Sequence, residues 1–352
     1  MRILAIDLGK SKSVACDFDA ATSQAKFYGL RTVPGELREL LVRCRPDRVV
    51  IEVCNQAGWV GDEVRAAAIE LQVVNTNGSA WRWQNVKRKT DRDDALKLAQ
   101  LSAMNQLKLV HLPARPVRQW RSLIGYRQTL VDRRTAIKNR IRSILDAQAI
   151  SIPAGKSGWT HKSVQALREM ALPIEHCPPD DFWRAELDEE LKQLDGVEAG
   201  LKRVTAELDK RGEQDERVRR LRTIPGVGRR LSEMVVAAID DPHRFASGKQ
   251  VASYAGLVPK QYQSGMMERH GRITGHGNAN LRRLLVEVSW IGLRLNPRMR
   301  AVYERVRQGG KTRKKIAIVA VARRLLIWCW AMLRDKQDWE QFPEGSQSVR
   351  AA

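Results

Sequence analysis

Four acidic residues stand at positions from which their carboxylates could bind a divalent cation. Asp91 and Asp94 lie three residues apart within residues 89–95, so on a helix they share one face. Asp7 and Glu52 each close a short apolar run that predicts a buried strand. A buried carboxylate needs a cation, and four oxygen donors favour Mg²⁺ or Mn²⁺ over zinc. Taken alone, Asp91 and Asp94 could instead belong to an acidic first turn that offsets a helix dipole.

The elements around these acids follow the order of an RNase H-like α/β domain. Three short strands within residues 1–33 predict an antiparallel meander, after which helix and strand alternate. In such a domain the first and fourth strands lie side by side, which would make Asp7 and Glu52 neighbours. The later predicted elements are a helix over 35–43, a strand over 47–53, a helix over about 58–71, a strand over 72–75 and the Asp91/Asp94 helix.

The composition predicts a basic globular protein with a polyanionic partner. The 352 residues suffice for two or three domains, and 43% of them are hydrophobic. The formal charge is +22, with 62 Lys and Arg against 40 Asp and Glu, which favours nucleic acid. Five scattered cysteines, no signal peptide and no uninterrupted apolar run of membrane length predict a cytoplasmic protein that does not enter a membrane.

Two segments combine features that suit nucleic-acid binding. Residues 81–89 contain two tryptophans and four cations, which could stack on bases and neutralise phosphates; one tryptophan could instead anchor the core. Residues 115–146 are predicted to be helical and carry nine Lys or Arg against two Asp, an imbalance typical of a surface for a nucleic-acid backbone. The candidate contact residues of the two segments are Trp81, Trp83, Lys87, Arg88, Arg133, Arg134, Lys138, Arg140 and Arg142.

An acidic segment follows with a heptad pattern. Leucines recur every seven residues, which predicts a coiled coil or a helical hairpin: Leu187, Leu194, Leu201 and Leu208. Thirteen acids against six bases between residues 180 and 216 favour packing on protein, and an intermolecular seam would make the chain a dimer or tetramer. We therefore expect a catalytic domain with a basic helical extension over 1–150, a linker and coiled coil over 151–215, a mostly α carboxy-terminal domain over 216–340 and a tail over 341–352.

Two motifs mark the carboxy-terminal region. Residues 224–228 and the apolar helix after them resemble a helix-hairpin-helix, in which Gly226 and Gly228 allow a tight turn and helix amides contact a phosphate. Further on, sixteen bases outnumber three acids between residues 260 and 324. Ser264 precedes a glycine in this basic stretch, although a serine there is most often a turn former.

Together these motifs resemble the DEDD transposases of bacterial insertion sequences, the family that includes Piv-type DNA invertases and bridge-RNA-guided recombinases. The resemblance covers nearly the whole chain. It rests on the following residues: Asp7, Glu52, the Lys-Thr-Asp-x-x-Asp-Ala motif with Asp91 and Asp94, the Ile-Pro-Gly-Val-Gly of 224–228, and Ser264-Gly265 ahead of Ile-Thr-Gly-His-Gly-Asn-Ala-Asn-Leu-Arg. Glu52 is followed by Val-Cys-Asn-Gln-Ala-Gly where many relatives have Ala-x-Gly, so that loop could differ locally.

The resemblance implies a composite active site that acts on DNA. A RuvC-like amino-terminal domain would supply the metal-binding acids, and a transposase domain would supply Ser264 as the nucleophile of a transient phosphoserine link. Arg272 or Arg282 would neutralise the phosphate. The implied partners are double-stranded donor and target DNA and a non-coding guide RNA. The basic helix over 115–146 would form part of the RNA-binding surface.

Three other functions stay open at the level of sequence. A metal-dependent, structure-selective nuclease resembling a Holliday-junction resolvase explains the acids and the charge but leaves Ser264 without a role. An actin-like sugar kinase or ATPase explains residues 6–11, although a second glycine-rich phosphate loop is not evident. A non-catalytic nucleic-acid-binding protein would make the four acids accidental.

Overall fold

The computed structural model describes residues 1–75, 81, 90–264 and 267–341, without the side chains of residues 262–270 and Lys311. The chain divides into two units, Met1–Gln119 and Trp120–Ala352. The first is built on a mixed sheet, and the second is mostly helical.

The sheet of the first unit has five strands. They are β1 Arg2–Asp7, β2 Lys12–Asp19, β3 Ala25–Arg31, β4 Arg48–Glu52 and β5 Glu70–Val74. Their order in the sheet is β3-β2-β1-β4-β5; β1, β2 and β3 form an antiparallel meander, whereas β4 runs parallel to β1 and β5 runs parallel to β4. This order confirms the predicted RNase H-like arrangement, with the first and fourth strands side by side.

Helices cover both faces of this sheet. They are α1 Pro34–Cys44, α2 Ala57–Ala66 and α3 Asp91–Ala103. Leu4 and Ile6 of β1 pack in the core that contains residues of α1 and α2, whereas Ile3 and Ala5 pack in the core that contains residues of α3. A strand buried on both faces needs apolar residues at every position, which explains the unbroken apolar run of β1.

One helix of the first unit is shorter than its sequence pattern predicts. The helix expected over about 58–71 ends at Ala66 as α2, and β5 already begins at Glu70. Between them Ala68 takes a left-handed φ of 55°, which breaks the helical path.

The second unit packs around a long apolar helix. Its elements are α4 Arg115–Ala147, which begins shortly before the unit does, α5 His161–Met170, α6 Phe182–Gln214, α7 Glu216–Leu221, α8 Arg229–Ile239, α9 Gly248–Tyr254, the strands β6 Pro259–Ser264 and β7 Met267–Ile273, α10 Ala279–Leu295, α11 Pro297–Arg307 and α12 Lys314–Asp335. By length and composition α12 could cross a membrane, but 72% of its most apolar window is buried within the protein. It packs against α9, α10 and α11, as the core helix of a helical unit does.

The heptad leucines lie on α6, where Leu187, Leu194 and Leu208 are buried within the chain and Leu201 is half-buried. Three leucines of α6 and two isoleucines of α4 share one buried cluster: Leu187, Leu191, Leu194, Ile137 and Ile141. Leu208 belongs to the larger core of the second unit. These side chains are already covered within the chain, so the seam is a helical hairpin and the predicted coiled coil is not confirmed.

Candidate active site

Asp7 and Glu52 end neighbouring strands. β1 and β4 pair in parallel, and the last paired residues directly precede the two acids. Two residues earlier on each strand, Ala5 and Val50 pack against the core shared with α3, so the alternation of a strand directs Asp7 and Glu52 to that same face. Both acids are half-buried. The backbone therefore brings them to one edge of the sheet, under α3.

The other two acids lie in the first turn of α3. Asp94 is half-buried and Asp91 is exposed. Both share a helix face with Ala95 and Leu98, which pack against the sheet. The helix therefore directs Asp91 and Asp94 towards the sheet face that carries the strand acids.

The far end of α3 fixes the direction in which the helix crosses the sheet. The Ser102 hydroxyl donates a buried hydrogen bond of 2.8 Å to Gln72 of β5, and Arg48 at the start of β4 donates to the Ser102 carbonyl at 3.4 Å. The last turn of α3 thus lies over the beginning of β4. Its first turn accordingly lies towards the opposite strand end, where β1 and β4 finish with their acids.

Asp93, between the two site aspartates, has a separate structural role. It forms a capping box with Thr90: the Asp93 N–H donates to the Thr90 hydroxyl at 3.3 Å, and the Thr90 N–H donates to the Asp93 carboxylate at 3.0 Å. The hydrogen bonds from Thr90 lower the pKa of Asp93 below its ordinary value. This cap fixes where α3 starts, and so fixes Asp91 and Asp94 in the first turn.

The donor chemistry of the four acids fits a hard divalent cation, but their side chains are not gathered around one point. Among the described residues, no group of three or more Asp, Glu, His or Cys side chains is arranged to hold a metal ion. Asp7, Glu52 and Asp94 each have other interaction partners. Carboxylate oxygens are the ligands that Mg²⁺ and Mn²⁺ prefer. Binding a cation would therefore require these carboxylates to converge.

Ser264 is the last residue of β6. Its backbone pairs with Met267 of β7 across the two-stranded hairpin. The side chain of Ser264, and Gly265 as a whole, lie outside the described residues. The serine therefore stands where the strand gives way to the hairpin tip.

The segments before and after this hairpin, around Gly256 and Gly277, approach each other closely and form what we call the loop crossing. A Cβ on Gly256 would lie 2.0 Å from the His276 carbonyl oxygen, and a Cβ on Gly277 would lie 2.1 Å from the Tyr254 carbonyl oxygen. The two glycines have φ values of +68° and +84°. Only glycine meets both demands, because a side chain would collide with backbone and strain the chain.

Arg282, predicted to contact a phosphate, holds the same crossing. Its guanidinium donates hydrogen bonds to the Ala255 carbonyl at 3.1 Å and to the His276 carbonyl at 2.8 Å. Arg272, the other predicted phosphate contact, is exposed on β7. The sequence pattern does not predict that Arg282 binds backbone carbonyls, because its two acceptors are brought together only by the fold.

The glycines of the predicted helix-hairpin-helix lie between α7 and α8. Gly226 has a φ of +90°, and a Cβ there would lie 3.1 Å from the Cα of Gly292 in α10. Gly228 is the N-cap of α8. The turn and the close approach of α10 account for Gly226, and the predicted phosphate contact is not confirmed.

Three of the five cations proposed on the basic helix have partners within the chain. Lys138 lies 3.1 Å from Glu198, Arg140 lies 2.6 Å from Glu186, and Arg142 donates to a loop carbonyl at 3.2 Å. Of the remaining two, Arg133 is exposed and Arg134 is half-buried.

The tryptophan-rich segment is described only at its first residue. Trp81 is half-buried and packs against the core between the sheet and α3, with the Lys97 ammonium 5.7 Å from its ring centre. This contact supports the alternative that one tryptophan is a core anchor. Trp83, Lys87 and Arg88 lie outside the described residues.

Two family models match the chain. Residues 4–149 match a transposase model of the DEDD, IS110 type, and residues 218–304 match a model described as transposase IS116/IS110/IS902 family. A probable family 20 transposase of Pseudomonas aeruginosa is 27% identical over 82% of this chain and 83% of its own length. A pilin gene-inverting protein of Moraxella bovis is 27% identical over 73% of this chain and 69% of its own length.

The chain therefore carries two transposase domains of the IS110/IS116 type, and the first of them is a DEDD domain. Among solved structures, the RuvC of Thermus thermophilus aligns over 31% of this chain and 100% of its own length, with 15% identity and a TM-score of 0.24. The strand order β3-β2-β1-β4-β5 itself defines the RNase H-like arrangement of the first unit.

Proposed function

We propose that this transposase cuts and rejoins DNA through a covalent serine intermediate, with Ser264 as the nucleophile. Asp7, Glu52, Asp91 and Asp94 are the proposed metal-binding acids. The observation that carries the proposal is the pairing of β1 with β4, which brings Asp7 and Glu52 to one sheet edge under the helix that bears the other two acids. The two transposase family matches support the same assignment.

The proposed chemistry exchanges one phosphodiester for another. A bond forms between the Ser264 Oγ and phosphorus while one bond between phosphorus and a sugar oxygen breaks. The serine loses its proton and the departing sugar oxygen gains one. A sugar hydroxyl of the new partner strand then attacks the phosphoserine, reverses these changes and releases the enzyme. The bond energy is retained, so rejoining needs no nucleotide hydrolysis.

The carboxylates and one arginine have distinct proposed tasks. Asp7, Glu52, Asp91 and Asp94 would hold Mg²⁺ or Mn²⁺, which when bound neutralises phosphate charge and stabilises a leaving oxygen. Arg272 is exposed on β7, the strand that follows Ser264 in the chain. It is our candidate for a direct contact with the phosphate.

We propose double-stranded donor and target DNA as the substrates and a non-coding guide RNA as the partner that selects them. The net charge of +22 supports a polyanionic partner. The name of the Moraxella relative, a gene-inverting protein, supports a reaction that rejoins DNA as well as cutting it. A homo-oligomer remains part of the proposal, since two DNA sites must be handled together.

A covalent-adduct assay in cells tests the nucleophile even though the target site is not specified. The protein is expressed beside a plasmid that carries its own insertion sequence, the cells are lysed in denaturant, and DNA attached to the purified protein is quantified. Wild-type protein should retain DNA and Ser264→Ala should not. Ser253→Ala, a change at an exposed serine on α9, is the matched control and should behave as wild type.

The acid variants separate the proposal from its nuclease rival. Asp7→Asn and Glu52→Gln should also lose the adduct although they keep the serine, because phosphate activation is lost. An adduct in Ser264→Ala would assign the nucleophile to another residue. Metal-dependent cutting without any adduct in the wild type would favour direct attack by water and the nuclease function.

A further inference from the structure

A groove on the second unit gathers cations that the proposed reaction does not use. It lies between α4 and the loop over 153–159, has a volume of about 540 Å³, and is lined by Arg134, Lys138, Arg142, Lys156, Trp159 and Asn139 with two further residues. Four of these side chains are cationic. No acidic residue lines the groove in the part of the chain that the structure describes.

One face of α4 supplies three of the four cations. Arg134, Lys138 and Arg142 follow one another at intervals of four residues and therefore form a row along the helix. Arg133 and Arg140 are seven residues apart and share a different face, where Arg140 pairs with Glu186. The fold thus divides the basic helix into a groove row and an outer row, a division that composition alone does not reveal.

The groove cations are held in place before any ligand arrives. The Lys138 ammonium lies 4.8 Å and the Arg142 guanidinium carbon 5.5 Å from the centre of the Trp159 ring, both within cation–π range. Arg142 also donates to the Pro153 carbonyl at 3.2 Å. Side chains that are already ordered lose less entropy when they bind an anion, which favours affinity.

The loop that forms the other wall is fixed as well. A Cβ on Gly158 would lie 2.4 Å from the Pro153 carbonyl oxygen, so the loop folds tightly on itself. Trp159 packs partly against the cluster that contains α4 and α6 residues. Lys156 is exposed on this loop and faces the row on α4 across the groove.

We infer that this groove binds the sugar–phosphate backbone of a nucleic-acid strand. A row of cations at helical spacing, a fourth cation opposite and the absence of lining acids among the described residues suit a chain of phosphates more than a single anion. Glu198 pairs with Lys138 at 3.1 Å from outside the lining, so Arg134 and Lys156 are the two cations most available to phosphate. The inference depends on the proposed function only in taking the polyanion to be nucleic acid.

The test compares two charge reversals of equal size. Arg134→Glu with Lys156→Glu removes two groove cations, whereas the control variant, Lys162→Glu with Lys202→Glu, changes two exposed lysines outside the groove lining. Affinity is measured across a salt series with one labelled sequence prepared as single-stranded RNA, single-stranded DNA and duplex DNA. Circular dichroism checks that each variant is folded. No metal and no strand exchange are needed, so failure of this inference is distinguishable from failure of the proposed chemistry.

The groove variant should bind at least about tenfold more weakly, with the slope of log affinity against log salt smaller by roughly 1.5, as expected for two lost phosphate contacts. The control variant should keep most of the dependence of affinity on salt. A loss confined to RNA would assign the groove to a guide, and a loss confined to duplex would assign it to DNA. Equal losses in both variants, or no loss in either, would overturn the inference.

Chemical protection gives an independent readout on the unaltered protein. Lys156 and Lys162 are both exposed. Saturating nucleic acid should protect Lys156 from acetylation and leave Lys162 reactive. Equal reactivity of the two lysines with and without the probe would also overturn the inference.

Discussion

At the scale of single residues, the start of α3 shows that neighbouring aspartates can have different roles. Asp94 lies on the helix face that packs against the sheet, whereas Asp93 turns back to cap the helix through Thr90. The same chemical change at the two positions should therefore have opposite consequences for activity and stability.

We predict that Asp94→Asn abolishes the covalent adduct but leaves thermal stability equal to or above that of the wild type, because one charge is removed from an acidic neighbourhood. Asp93→Asn should keep the adduct and lower the melting temperature, since the capping box is weakened. Adduct yield and differential scanning calorimetry on both variants check this. Loss of the adduct in Asp93→Asn with normal stability would assign Asp93 to the site.

The pKa of Asp93 sets the pH dependence of this difference. Because Thr90 lowers that pKa in the folded protein, the cap stabilises the fold above the ordinary pKa of the carboxyl group and loses its effect as pH falls through the lowered value. The melting temperatures of wild type and Asp93→Asn should therefore converge in acid. A gap that stays constant with pH would contradict a role for the Asp93 charge.

At the scale of elements, the hairpin β6–β7 depends on the loop crossing beneath it. We predict that Arg282→Ala lowers adduct yield by loosening this crossing and leaves the salt slope of DNA binding unchanged. Hydrogen exchange should speed up over residues 255–277. Arg283→Ala, at the exposed neighbouring arginine, is the control and should not alter exchange there. A slope smaller by about one with normal exchange would restore Arg282 to the role of a phosphate contact.

The same scale shows what sequence can and cannot predict. The order of β1 to α3 follows from apolar periodicity and turn residues, and so the edge with Asp7 and Glu52 is predictable. The leucines of α6 predict a seam but not its partner, because one heptad pattern serves a hairpin and a coiled coil equally well. The end of α2 is not predictable, since a left-handed Ala68 carries no sequence signal. No sequence pattern predicts that Lys156 and Trp159 line a groove, because only the fold places them beside α4.

At the scale of the whole molecule, the net charge of +22 does not equal the number of cations available to contact phosphates. Several arginines are used to hold helices of the second unit. Arg121 donates to the Ala238 carbonyl at 3.0 Å, and Arg244 donates to the Ile239 carbonyl at 2.9 Å, so both stabilise the end of α8. Charge reversals chosen from composition alone would therefore confuse folding with binding.

One internal use of charge is a buried ion pair between two helices of this unit. Arg127 of α4 and Glu233 of α8 are 5% and 0% exposed, and a guanidinium nitrogen lies 3.2 Å from a carboxylate oxygen. Burial lowers the pKa of Arg127 and raises the pKa of Glu233, and each effect is opposed by the partner. A Cβ on Gly212 of α6 would lie 2.9 Å from the other carboxylate oxygen, so a third helix closes the site.

We predict that Arg127→Met or Glu233→Leu alone destabilises the second unit by about 3–5 kcal/mol, because each leaves an unpaired buried charge. The double variant should recover most of that loss, since two apolar side chains replace the pair. In Arg127→Met the raised pKa of Glu233 is no longer opposed, so the folded state binds a proton more readily and stability should increase as pH falls. Urea unfolding of all four proteins across a pH series measures these differences. Additive losses in the double variant, or an Arg127→Met stability with the same pH dependence as the wild type, would show that the pair is not coupled.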